Sequence, residues 1–149
     1  ILGPDGEKLS KRHGAVSVIQ YHEEGFLPDA MVNYLARLGW SHGDDEFFTD
    51  TQAIEWFDLD GIGKSPSRLD MKKLDNVAGW HIAEAEDADL VAQINEFVSI
   101  TNQPTLSQVQ QDGLTRAMYC LKDRAKSVPE ILDKGRFVLD KLPFTYDET

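Results

Sequence analysis

The sequence predicts a mainly α chain: a short N-terminal hairpin and loop, then two small helical subdomains meeting near residue 80. Three observations carry this prediction. Met31, Tyr34, Leu35 and Leu38 recur at i, i+3, i+4 and i+7, the spacing of one helical face. Serine, threonine or aspartate stands where several helices would begin, as capping requires. The second half of the chain shows no strand-like alternation. At 149 residues the chain is long enough to bury one good core or two small ones.

The hairpin is read from Ile1-Leu2 followed by Gly3-Pro4-Asp5-Gly6. Proline fixes φ, aspartate bonds the backbone ahead of it, and glycine supplies φ > 0. Behind this turn stands Lys8-Leu9-Ser10-Lys11-Arg12-His13-Gly14, with three cations inside five residues. A cationic loop ending in glycine suits a polyphosphate, because ammonium groups and backbone N–H groups converge on anionic oxygens. The plain alternative is a solvated basic turn.

Ser17-Val18-Ile19-Gln20 reads as a capping box opening a short helix that stops at Gly25. Pro28 suits the first turn of the next helix, which carries the Met31 to Leu38 stripe to Gly39. Tyr34 and Trp40 lie on or beside that stripe and are expected in the core, not as platforms for stacking bases. Thr49 to Gln52 opens a further helix through Trp56 and Phe57. The following Gly61, Gly63 and Pro66 make a loop whose spacing is no P-loop. Asp70 is placed to cap a helix bearing Lys72 and Lys73, where the dipole also favours an anion.

Around Gly79-Trp80-His81-Ile82 the pattern breaks, and the subdomain boundary is expected there. Leu90, Val91, Ile94, Phe97 and Val98 share one face, and Leu114, Ala117, Met118 and Leu121 mark the next. Ser127 to Glu130 reads as another capping box, opening one helix through Ile131, Leu132, Val138, Leu139 and Leu142.

Charge restricts the function. A net charge of −11 excludes broad coating of nucleic acid or of an anionic membrane, so any RNA contact is local. The clusters able to make it are Lys8, Lys11 and Arg12; Lys64, Arg68, Lys72 and Lys73; and Arg116, Lys122, Arg124 and Lys126. His13, His22, His42 and His81 have no partners at zinc spacing, and the acidic loop from His42 to Glu46 matches no calcium loop, so no metal ligand is assigned. The lone Cys120 excludes an intrachain disulfide, fits a reducing cytoplasm, and is expected in the core. No signal peptide or long apolar run is present, and no membrane partner is expected. The start without methionine, directly at the hairpin, suggests an excised fragment.

Lys8-Leu9-Ser10-Lys11-Arg12 resembles the K-M-S-K-S signature of class I aminoacyl-tRNA synthetases, in a form similar to that of glutamyl-tRNA synthetase, and the helical second half resembles the anticodon-binding region of its bacterial type. His13 to Val18, Gly25 to Ala30, Asn33 to Trp40 and Ile62 to Arg68 also look like that family. The resemblance is dense across residues 1–75 and thins beyond to helical pattern and the stretch Leu121 to Lys126. Lys73 to Trp80 departs from the family's usual Asn-Gly followed by His-Tyr.

The resemblance implies an enzyme that activates glutamate with ATP, accompanied by Mg2+, and passes it to tRNA(Glu). It also implies three regions: residues 1–14 closing the catalytic domain, 15–80 a stem-contact region, and 81–149 the first part of a helical anticodon-binding region. Lys11 matches the motif's second lysine and is expected to stabilise charge on the leaving pyrophosphate, with Lys8, Leu9, Ser10 and Arg12 completing the ATP loop. Lys64, Arg68, Lys72, Lys73, Arg124 and Lys126 become candidate tRNA contacts. The nucleotide-binding fold with its H-I-G-H type motif would lie upstream, so the chain alone is expected to bind no cofactor and to be inactive. The full enzyme is expected to be a cytoplasmic monomer. Two other readings stay open at this stage, a non-catalytic tRNA-binding module and an acidic helical protein-interaction domain.

Overall fold

The computed structural model describes residues 1–3, 6–8 and 17–140. The chain is mainly helical, with α1 (Val18–Glu23), α2 (Pro28–Arg37), α3 (Asp50–Trp56), α4 (Met71–Glu84), α5 (Asp87–Ile100), α6 (Gln108–Leu121), α7 (Val128–Lys134) and α8 (Arg136–Leu139). Only isolated bridges represent β structure among the described residues: Leu2 with Lys8, Leu2 with Arg68, and Trp40 with Ile62. The first of these is the hairpin, closed by Gly6 N–H donating to Gly3 O at 2.9 Å, with Gly6 at φ +84°.

One hydrophobic core runs from Tyr21 and Met31 through Leu74, Ile82, Ile94 and Met118 to Ile131. It is built by α2 on α4, α5 on α6, and α7 on α5. The expected faces of α5 and α6 are all buried. Gly25 ties the first half to the second: its carbonyl accepts from Val128 N–H at 2.9 Å, it holds φ +86°, and a Cβ there would fall 2.3 Å from Pro129 Cδ. A satellite cluster joins Trp40, His42, Phe48 and Trp56, with His42 stacked on Trp56 at 4.6 Å. Gly61 approaches so closely that a Cβ would lie 2.6 Å from Trp40 Nε1 and 2.5 Å from Ser41 O.

Several expectations are corrected. α4 is continuous through Gly79 to Ile82 and ends at Glu84, because Val77, Ala78, His81 and Ile82 keep a buried face across the supposed break. Ser17 and Ser127 do occupy N-cap positions, but neither box closes. The Gln20 side chain donates forward to Glu24, and Glu130 accepts from Lys126 N–H. The last helix is split at Gly135 into α7 and α8, where a Cβ would meet Leu114 Cδ2 at 3.0 Å. Leu142 lies outside the described residues. Cys120 is exposed, since it stands roughly 110° round α6 from the buried stripe at about 100° per residue. Tyr34 and Trp40 are buried, as expected.

The α2–α4 contact encloses a polar pair. Asn33 is 1% exposed and His81 6%. Asn33 Oδ1 accepts from Phe48 N–H at 3.2 Å, and Asn33 Nδ2 donates to Glu46 O at 3.1 Å. With the amide oriented by these two bonds, His81 Nε2, 3.1 Å from Oδ1, must carry a proton. Burial pushes the His81 pKa down, against a weaker upward pull from Asp29 and Asp50. The folded ring therefore refuses a proton that the unfolded ring accepts below about pH 6.5. Stability fully present above that pH is lost as pH falls toward the folded value. The difference in Tm between pH 7 and pH 5 is expected to shrink in His81→Gln, which keeps a donor for Asn33 but does not titrate; an unchanged difference would assign the loss to other groups.

Candidate nucleic-acid interface

The N-terminal segment is laid against the approach to α4. Leu2 N–H donates to Ser67 O at 2.7 Å and Leu2 O accepts from Leu69 N–H at 2.8 Å. Lys8 pairs with Leu2 from the other side. With about 4.8 Å between neighbouring extended segments, Lys8 and Arg68 flank Leu2 within roughly 10 Å of each other. The Arg68 guanidinium lies over Gly6, where a Cβ would come 2.8 Å from Nη2. Leu9, Ser10, Lys11 and Arg12 lie outside the described residues.

Asp70 caps α4 as its place in the sequence predicts: Oδ1 accepts from Lys72 N–H at 2.9 Å and Lys73 N–H at 3.3 Å. This changes the expected anion chemistry. The negative group favoured at this helix start is Asp70 itself, so a phosphate would meet the Lys72 and Lys73 ammonium groups and not the backbone. Tyr34 fixes the same corner. Its hydroxyl donates to Asp70 O at 3.0 Å and accepts from Asp70 N–H at 2.8 Å, and burial holds its pKa above the ordinary value so that it stays a donor.

Between the end of α2 and the start of α4 opens a cleft of about 350 Å³, lined among others by Tyr34, Arg37, Glu46, Arg68, Asp70 and Lys73. The structure thus brings Arg68 and Lys73 together. Lys64 and Lys72 are exposed nearby but do not line this cleft. Arg124 and Lys126 sit on the turn after α6, which packs across α4 with Ala125 O 3.7 Å from the Cβ position of Gly79. Arg124 is exposed and holds φ +57°. Lys126 pairs with Asp75 at 3.3 Å and Lys122 with Asp87 at 2.9 Å, so neither offers an uncommitted charge.

Arg37 is the cleft residue that the sequence reading missed. It is half-buried and lies on the helical face of Ala30, Asn33 and Tyr34, so a cation continuing a buried stripe was the available signal. Among the described residues no group of three His, Cys, Asp or Glu side chains is arranged to hold a metal. No described helix is long and apolar enough to cross a membrane.

A family model described as tRNA synthetases class I (E and Q), catalytic domain, matches residues 1–76. The chain belongs to this family. Two relatives of this class I synthetase chain are 71% and 58% identical to it over 148 residues: glutamate–tRNA ligase 1 of a Jannaschia species and glutamate–tRNA ligase 2 of Ruegeria pomeroyi. Each match takes in 99% of the synthetase chain and 32% of the relative. The crystal structure of a glutamate tRNA ligase from Elizabethkingia meningosepticum in complex with its amino acid is similar at TM-score 0.71 and 25% identity, over 99% of this chain and 32% of that one. The synthetase chain therefore spans about a third of the length of the relatives it matches.

Proposed function

We propose that this chain is part of a glutamate–tRNA ligase that activates glutamate with ATP and transfers it to tRNA(Glu). The observation that carries the reading is the 71% identity, over 99% of the chain, to a protein of that name. The motif Lys8 to Arg12, which lies within the matched residues, supports it. In activation a glutamate carboxylate oxygen attacks the α-phosphate, the bond to the β-phosphate oxygen breaks, and negative charge grows on the leaving pyrophosphate. Lys11 is the residue assigned to that charge, because a positioned cation lowers the barrier where charge develops. Lys8, held beside Leu2, is assigned to the phosphates or to holding the loop. Arg12 offers a planar fork to phosphate in place of a hydroxyl. Magnesium would arrive with ATP; the described residues do not form a site for it, and no step is derived through it.

The three regions follow the same reading, with residues 15–80 facing the inner side of the tRNA and 81–149 starting the anticodon-binding part. Lys64, Arg68, Lys72, Lys73 and Arg124 are assigned to the RNA backbone. Lys126 would have to release Asp75 to join them, which an exposed pair worth under about 1 kcal/mol permits. The intact enzyme is read as a cytoplasmic monomer, and the chain alone as inactive. The test is charging: the full-length protein, given ATP and labelled glutamate, is expected to load tRNA(Glu), and absence of transfer contradicts the proposal.

A further inference from the structure

The cleft between α2 and α4 holds an unusual electrostatic arrangement for so acidic a chain. Arg37 comes from the last turn of α2, Arg68 from the segment bridged to Leu2, and Lys73 from the first turn of α4. All line one cavity, and none takes part in an ion pair among the described residues. Lys64, Lys72, Arg116 and Arg124 also lack an ion pair among the described residues, so what sets the cleft apart is that three cations share one concavity. Two carboxylates, Glu46 and Asp70, also line it. Asp70 is committed to the α4 cap, leaving the cations in excess.

Arg37 supplies the second observation. Its Nη1 is buried and meets no acceptor. A buried guanidinium N–H without a partner is costly, and no protein bond must break for the side chain to turn toward an incoming oxygen. Asn76 and Ser67 add polar groups to the lining. A cavity with a small excess of positive charge matches a singly charged phosphodiester better than a triphosphate, which Glu46 would oppose.

We infer that this cleft takes one backbone phosphodiester of the bound tRNA, with Arg37 as a further RNA-contacting residue beside Arg68 and Lys73. The inference rests on the ligase reading above and extends its RNA interface from α4 onto α2. Arg37 touches RNA and not the reacting atoms.

The experiment measures binding of a tRNA(Glu) transcript to the full-length protein across a salt series, for wild type, Arg37→Gln, Arg37→Lys and Arg136→Gln. Arg37→Gln is expected to weaken binding about tenfold and to reduce the slope of log affinity against log salt by about 1. Arg37→Lys should keep the slope, while Arg136→Gln, an equal charge change on α8, should leave both unchanged. In charging, Arg37→Gln should raise KM for tRNA and leave KM for ATP as it was, with helical circular dichroism and Tm intact. Unchanged affinity and slope in Arg37→Gln would overturn the cleft assignment while leaving the ligase reading standing, as would an equal loss in Arg136→Gln. Wild-type protein that fails to bind tRNA at all would overturn the ligase reading and this inference with it.

Discussion

Lys11→Ala in the full-length protein is expected to lower kcat for glutamate activation by about 10²–10³-fold, the range for removing one positioned charge-stabilising group. The effect should fall on kcat because the ammonium is assigned to charge that exists fully only once the bond to pyrophosphate breaks; binding of ATP in its ground state is shared with Lys8 and Arg12. Lys11→Arg should recover part of the loss, since charge is kept while the compact ammonium is replaced by a wider planar fork. The check is glutamate-dependent ATP–pyrophosphate exchange in the presence of saturating tRNA, with Tm as the control for folding. Equal kcat in wild type and Lys11→Ala would remove this residue from the chemistry and leave the motif as a solvated basic loop.

Asn33→Ala is expected to destabilise the fold by about 3–5 kcal/mol. Asn33 serves three partners at once, Phe48 N–H, Glu46 O and His81 Nε2, and truncation leaves them facing a small cavity. Urea unfolding measures the difference. The same substitution loosens the loop carrying Glu46 and Phe47, both of which line the α2–α4 cleft, so tRNA affinity should fall alongside stability. A loss below about 1 kcal/mol, typical of one ordinary hydrogen bond, would mean that the network is not buried as described.

These two residues also show what was legible in the chain. The K-L-S-K-R motif is contiguous, so its assignment needs no fold. Asn33 was invisible as a core residue because its partners Glu46, Phe48 and His81 lie 13, 15 and 48 positions away. Its neighbour Leu35, predicted to be buried, is 38% exposed, since α2 is rotated to present Ala30, Asn33 and Tyr34 to α4. Local chemistry was read well where one side chain acts on adjacent backbone, as with Asp70 over Lys72 and Lys73 or Gly25 at positive φ. It failed where a side chain had a choice of partners, as with Gln20 and Glu130. The RNA-facing surface followed the same division. Arg68 and Lys73 stood out as part of a basic run, whereas Arg37 becomes a candidate only when α2 is laid against α4 and its guanidinium is found without an acceptor.

The identity to glutamate–tRNA ligases spans about a third of the length of those relatives, and the geometry described is confined to that span. The most direct measurement is therefore aminoacylation by the full-length protein, offering tRNA(Glu) each amino acid in turn with ATP. The account predicts that glutamate alone is esterified to the 3′ end, in a reaction abolished by omitting ATP. Esterification of a different amino acid, or tRNA binding with no esterification, would contradict it.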